Sequence, residues 1–282
     1  MILSIHAVEP EDAPFIRTVM ARLLRAYDGR RLHWALPNSE ELWRIHPGWR
    51  ASVVGMRLEG RKCCAKFFHD RRWRAHARNR LGFSKARRSF RKARRLERLG
   101  VPAPAVWGFA VDWVSGYAVL VAELVEHADS VDHHVEREGA DAALAARLGR
   151  FVRRMHEAGV AHKDLSLSNF LRQSDGRFLL VDYEDCRFFK TLPERVRWAN
   201  LRHLDARARD FVSLEWRRVF LRAYWERASR GRAAPPPEFA VPRGRETAAS
   251  AGDVPAPHGG LTGATPVPPV SGPARTCPPT GA

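Results

Sequence analysis

Residues 161–171, AHKDLSLSNFL, followed by FLLVDYEDC at 178–186, constrain this chain more than any other stretch. His162, Asp164 and Asn169 stand at the spacing H-x-D-L-x-x-x-N, and Asp182 closes a short apolar run further on. Phosphoryl transfer to a hydroxyl needs these groups in this order. A carboxylate orients the attacking hydroxyl and accepts its proton. An amide oxygen and a second carboxylate hold Mg²⁺ against the phosphates. Asp164 is the expected base, and Asn169 and Asp182 are the expected metal ligands. An H-x-D triplet alone is common by chance; the ordered set, with an apolar strand before Asp182, is specific.

The flanking segments agree. In LAARLGRFVRRMHE, residues 144–157, Leu144, Leu148, Phe151, Val152 and Met155 fall on one helical stripe, and Gly159 is placed to stop the helix. Upstream, residues 51–69 read as two strands joined by a tight turn at Glu59-Gly60-Arg61. Lys66 sits in the second strand, in CCAKFF. A lysine among Cys, Ala and Phe is costly unless its ammonium has a partner, and nucleotide phosphates supply one. YAVLVAELV, residues 117–125, reads as a buried strand leading into a hinge, where adenine is expected on the backbone of Glu123 and Val125.

Two pieces of the pattern are weak. No G-x-G-x-x-G loop is present; the nearest substitute, HPGWRASVVG at 46–55, has only Gly48 and Gly55. The acid that pairs with the strand lysine in kinases is also hard to place. The helix at 84–100 carries only Glu97, close to its end, whereas position suggests an acid near Ser89. Either Glu97 serves, or another group positions Lys66, or the pair is absent.

AKFF with Lys66, the arginine-rich helix running into RLGVPAPAVWGF, the loop HKDLSLSNFL, LVDYEDCRF, and then RVRWANLRHL and VFLRAYWE together resemble the lipopolysaccharide core kinases of the Kdo kinase type. Kdo is 3-deoxy-manno-octulosonic acid. The resemblance covers about residues 45–228 and departs from the family at Ser89, usually glutamate, and at Lys163. It implies an α+β, two-lobed, protein-kinase-like fold. A small antiparallel sheet with one main helix (residues 45–125) forms the N-lobe, and a mostly helical C-lobe follows (126–231). It implies an enzyme using ATP and Mg²⁺ on a sugar hydroxyl of the lipid-linked inner core. Asp164 is then the base, Lys66 steadies the α- and β-phosphates, and His162 orders the loop rather than reacting. Glu184 and Asp185 are extra carboxylates beside the metal. A soluble-acceptor phosphotransferase of the aminoglycoside or choline type, an atypical protein kinase and a non-catalytic pseudokinase are the alternatives.

Charge points to an anionic partner. The net charge is +17. From Arg71 to Arg98 the chain holds thirteen Lys or Arg and one acid. That segment reads as a platform for an anionic glycolipid and the membrane surface carrying it, ahead of a plain solvated helix face. Nucleic acid ranks lower, because the catalytic motifs already supply a function. Four cysteines, Cys63, Cys64, Cys186 and Cys277, suggest no disulfide framework, and the adjacent pair points to opposite faces of a strand. His133 and His134 read as surface residues without a third ligand. No signal peptide or membrane-spanning run is recognisable, so a cytoplasmic or peripheral location is expected.

The ends differ from the middle. Residues 1–44 form an extension whose amphipathic helix, about 11–28 with Gly29 as stop, packs on the N-lobe or lies on a membrane interface. Residues 232–282 are rich in Pro, Gly, Ala and Thr and read as a disordered tail. Two helices, about 193–204 and 211–228, are expected to cap the larger lobe, with Trp198, Phe211, Trp216, Phe220 and Tyr224 in its core.

Overall fold

The computed structural model describes residues 2–27, 41–46, 51–70 and 73–226. The stop expected at Gly29, Gly48 of the substitute loop, Arg71 and Arg72, Cys277 and the tail from 232 lie outside the described residues. The architecture is α+β. In chain order come β1 (Leu3–Ala7), α1 (Asp12–Ala26), β2 (Leu42–His46), β3 (Ala51–Leu58), β4 (Arg61–Phe68), α2 (Trp73–Arg80), α3 (Lys85–Arg98), β5 (Val106–Asp112) and β6 (Ala118–Glu123). The six strands form one antiparallel sheet in the order β1-β5-β6-β4-β3-β2.

The β3–β4 hairpin forms where the turn residues predict it. Glu59 (φ 52°) and Gly60 (φ 75°) both take left-handed backbone, matching the right-handed twist of the flanking strands. Leu58 pairs with Arg61, which fixes the register and sets Lys66 between Val53 and Leu120. Alternation then sorts the strand. Cys63, Ala65 and Phe67 enter the core with Val54 and Met56, so Cys64 and Lys66 point to the other face.

The expected division at residue 44 does not divide this sheet. β1 pairs with β5 over Leu3–Ala7, and β2 pairs with β3. The stripe Phe15, Ile16, Val19, Met20 and Leu23 of α1 is buried in the same core as Cys63, Ala65 and Phe67. Of the two placements expected for this helix, packing on the sheet holds, and its apolar face is not left for a membrane. Arg61 fastens it: the guanidinium lies over the Phe15 ring at 4.7 Å and the Trp107 ring at 4.5 Å, and bonds Asp12 at 2.8 Å. Gly55 has a structural task here. Trp43 of β2 lies across it, and a Cβ at Gly55 would come within 2.2 Å of the indole. A larger residue here would have to displace that indole.

The helical part follows: β7 (Asp129–Ser130), α4 (Val131–Glu138), α5 (Ala142–Glu157), β8 (Val160–His162), β9 (Phe170–Arg172), β10 (Phe178–Leu180), β11 (Cys186–Phe188), α6 (Glu194–Ala208) and α7 (Leu214–Trp225). The stripe expected on α5 is buried, and Gly159 (φ 75°) ends the helix. Gly149 lets α5 approach α7; a Cβ there would lie 2.4 Å from the Phe220 carbonyl. Trp198, Trp216, Phe220 and Tyr224 are core, as expected. Phe211 is not: it is 40% exposed, because it follows the end of α6 and turns outward. His134, expected on the surface, is buried in α4 with Glu138 one turn on, while His133 is exposed. Among the described residues no group of three His, Cys, Asp or Glu is arranged to hold a metal. No described helix is long and apolar enough to cross a membrane.

A buried polar chain crosses this core. The Arg197 guanidinium donates to the Tyr224 hydroxyl at 3.0 Å, and Tyr224 meets His156 Nδ1 at 2.8 Å. His156 Nε2 faces Asn200 Oδ1 at 3.3 Å, and Asn200 brackets the His162 backbone at 3.0 and 2.6 Å. Desolvation, then the Arg197 charge, push the His156 pKa down from 6.5 to about 3. The unfolded chain therefore binds a proton that the folded chain refuses. This contribution is full above pH 6.5 and is lost as pH falls from 6.5 toward 3, at up to about 1.4 kcal/mol per pH unit. Denaturant unfolding at pH 7.5 and 5.5 should show a loss of stability for the parent that is smaller in His156→Gln; equal losses would remove His156 as the cause.

Candidate functional site

The site is assembled from the open face of β4 and the turns after β8 and β10. The β9–β10 hairpin returns the chain so that Val181 N donates to the Asn169 carbonyl at 2.9 Å. This places Asn169 and Asp182 side by side. β8 and β11 pair His162 with Cys186, and Lys163 N reaches the Asp185 carbonyl at 3.1 Å. The two motif segments are thus tied to each other by backbone bonds.

Asp182 is left-handed (φ 52°, ψ 34°), the only such residue in the motif segments. Asp tolerates this better than branched residues do, at a cost of about 1 kcal/mol. The conformation turns the carboxylate out of the strand toward the sheet. Lys66 Nζ bonds Asp182 Oδ1 at 2.8 Å across 116 residues of sequence. It also contacts Glu184 Oε1. Desolvation acts to raise the Asp182 pKa, but Lys66, by charge and hydrogen bond, outweighs it and holds the carboxyl below its usual range.

His162 lies behind this pair and is buried. Its Nε2–H, so assigned because its partner is a carbonyl, donates to the Asp182 oxygen at 2.9 Å. Its Nδ1 is buried with no hydrogen-bond partner. Asn169 is also nearly buried. Its Oδ1 accepts from Ser166 N at 2.8 Å and Ser166 Oγ at 3.0 Å, so the amide shapes the loop. Asp182 presents a carboxylate here, while Asn169 Oδ1 is already engaged by the two Ser166 donors. Mg²⁺ takes one or two carboxylates plus substrate phosphates rather than a protein cage, and the Asp182 carboxylate meets the minimum of that demand.

Asp164 stands apart from the lysine. Its side chain is 62% exposed, and Oδ1 accepts from His203 Nε2 at 2.8 Å, with Arg207 at 3.5 Å. The His203 hydrogen bond first, then the Arg207 charge, hold its carboxyl below the ordinary value. An open cleft of about 270 Å³ adjoins it, lined by Asp132, Ser166, Ser168, Arg207 and Phe211 among others. The Phe211 ring that leaves the core is part of this wall.

At the end of β6, Glu123 N donates to the Ala105 carbonyl at 2.8 Å, and its carboxylate accepts from Ala105 N at 3.0 Å. This clamp ends the sheet, and the backbone of Leu124 and Val125 continues beyond it. Among the described residues the cysteine thiols are poor nucleophiles. Burial pushes Cys63 and Cys186 up to about 12 and Cys64 to about 11.

The sequence reading missed Lys92, Asn200, His203 and Arg207. The last three recur at three- and four-residue spacing on α6, and such a polar stripe beside the apolar one of Trp198, Leu201 and Leu204 was the available signal. Glu97, one of the options for Lys66, is engaged by Arg94 at 2.6 Å on the solvent side and does not meet the lysine.

The site thus presents a sheet lysine facing a left-handed aspartate, with an exposed carboxylate apart from them. The Lipopolysaccharide kinase (Kdo/WaaP) family model matches residues 48–224, and the chain belongs to this family. It is similar to a 3-deoxy-D-manno-octulosonic acid kinase of Stenotrophomonas maltophilia, 31% identical over 150 residues, covering 50% of this chain and 55% of that protein. A second such kinase, from Xanthomonas euvesicatoria pv. vesicatoria, is 29% identical over 193 residues, or 64% of this chain and 74% of its own length. The matched stretch thus spans about half the length of the Stenotrophomonas relative.

Proposed function

We propose that this protein is an ATP-dependent kinase that phosphorylates a sugar hydroxyl of the lipopolysaccharide inner core, on Kdo or on heptose. One observation carries the reading: the 2.8 Å contact of Lys66 with Asp182, which joins the sheet to the motif loop. Family membership supports it, as do the relatives named as Kdo kinases.

The sheet and its helices, to about residue 125, act as the smaller lobe, and the helical part to about 231 acts as the larger. ATP lies between them, its adenine on the backbone of Glu123 and Val125 and its α- and β-phosphates on Lys66. Asp182 and Asn169 hold Mg²⁺, which when bound neutralises charge on the phosphates. His162 braces the Asp182 carbonyl. Asp164 orients the acceptor hydroxyl and takes its proton, and His203 keeps that carboxylate aimed. The cleft beside Asp164 receives the acceptor sugar. Ser166, Ser168 and Arg207 there suit an acidic, polyhydroxylated ring. Mass spectrometry of core oligosaccharide from cells with and without the gene should differ by one phosphate in the Kdo–heptose region. An unchanged core, together with no transfer from ATP to Kdo-bearing lipid A by the purified protein, would refute the assignment.

The glycolipid acceptor lies in a membrane, and α3 suits an anionic surface on the cytoplasmic side. Its inner stripe is Ala86, Ser89, Ala93 and Leu96, whereas Arg87, Arg88, Arg91, Arg95 and Arg98 are exposed. Leu81 and Phe83, both exposed, precede it. Each surface Lys or Arg near such a membrane contributes about 1 kcal/mol, and the attraction decays over about 10 Å at 0.1 M salt. Replacing Arg87, Arg88, Arg91 and Arg94 by Gln should reduce co-sedimentation with anionic vesicles. The helix should persist, because Gln has nearly the helix propensity of Arg. Equal binding to neutral vesicles, or no loss in the variant, would leave these arginines as a solvated face.

A further inference from the structure

We propose that Glu184 is the residue that positions Lys66 for the phosphates, replacing the helix acid of kinases, and that Ser89 holds Glu184 in place. The inference rests on the phosphotransfer reading above. Lys66 needs a carboxylate that stays with it. Asp182 touches it at 2.8 Å, but Asp182 is also an oxygen donor for the metal, and an oxygen turned to Mg²⁺ pulls less on the lysine. The second carboxylate normally comes from the helix after the lysine strand. In this chain α2 follows the strand first and carries no acid, and the helix beside the site is α3. Its sole acid, Glu97, is 63% exposed and paired with Arg94. Its residue beside the site is Ser89, 1% exposed and uncharged.

Glu184 arrives from the opposite side. It lies in the single helical turn Tyr183–Asp185 that follows the left-handed Asp182. One oxygen, Oε1, contacts Lys66 Nζ. The other, Oε2, lies 3.1 Å from Ser89 Oγ, whose one proton is shared with the Lys85 carbonyl at 3.0 Å. The Glu184 backbone carbonyl accepts from Lys92 Nζ, which also reaches the Cys186 carbonyl at 2.8 Å. Burial lowers the Lys92 pKa, as expected for an ammonium turned inward from an otherwise exposed basic helix. So α3 still grips the lysine's acid, through a hydroxyl and an ammonium instead of its own carboxylate. The short Ser89 side chain leaves the space in which the Glu184 carboxylate sits. Charge and geometry at Lys66 are kept, while the acid has moved from helix to turn.

The test is an exchange of the acid between its two sources. Glu184→Ala, Ser89→Glu, the double variant and Glu97→Ala are purified and checked for folding by circular dichroism and thermal unfolding. Glu184→Ala should lower kcat/KM for ATP·Mg on the order of 10²-fold, the cost of a misplaced positioning group, with the acceptor KM unchanged. Ser89→Glu alone should lose activity, because two carboxylates then crowd one ammonium. The double variant should recover at least about tenfold over Glu184→Ala, which a merely structural role for Glu184 does not produce. Glu97→Ala should match the parent. A folded Glu184→Ala with parental kcat/KM, or a folded double variant no better than Glu184→Ala, overturns the inference alone. A parent that neither binds ATP nor transfers phosphate overturns the functional reading, and this inference with it.

Discussion

Replacing Asp164 by Asn is expected to lower phosphate transfer by about 10²–10⁴-fold, the usual worth of a positioned general base. Asn keeps the size of the side chain and an oxygen that can still accept from His203, so α6 should hold its place. The side chain is 62% exposed and carries no core packing, and the fold should be unaffected. Nucleotide binding should also persist, because Lys66 and Asp182 are untouched. Single-turnover transfer measured beside ATP affinity separates these effects. Near-normal turnover in Asp164→Asn would remove the residue from the chemistry.

Asp182→Ala should be comparably damaging for a different reason. A metal-bound phosphate site gains several kcal/mol of transition-state stabilisation from the ion and its anchors, so losing the main carboxylate should cost about 10²-fold or more. The requirement for Mg²⁺ should rise, because a hard cation loses an oxygen donor. Lys66 keeps Glu184, so ATP binding without metal should fall less than metal-dependent turnover. Asn169→Ala should resemble it in Mg²⁺ dependence and also loosen the loop, since Asn169 Oδ1 holds Ser166 N at 2.8 Å. Titration of Mg²⁺ in the transfer assay is the measurement. If both variants show the parental Mg²⁺ dependence, the metal is bound elsewhere.

Much of the local structure was legible in the residues. Glu59-Gly60 marked the hairpin turn, and the stripe ending at Gly159 marked α5, since turn backbone and helical period are short-range properties. The motif spacing marked Asp164, Asn169 and Asp182 for the same reason: they sit on one loop and one hairpin. Residues acting across elements were not legible. Phe211 looked like one more core aromatic, and only its place beyond the end of α6 turned it toward the Asp164 cleft. His134 looked like a surface residue, and the packing of α4 buried it.

By itself the sequence determined that a strand lysine, a loop acid and a hairpin acid exist in this order, because each is written in a few adjacent residues. Which groups meet was decided by the tertiary structure. The pairing of β1 with β5 draws the first residues into the sheet, and the packing of α3 against the turn after β10 sets Ser89 beside Glu184. Glu97, the one acid of α3, lies away from Lys66, whose partners Asp182 and Glu184 are 116 and 118 residues distant in sequence. The physical reason is range. Hydrogen-bonded turns and helical stripes are set by neighbours along the chain, whereas an ion pair between a strand and a distant turn depends on how the sheet and helices pack.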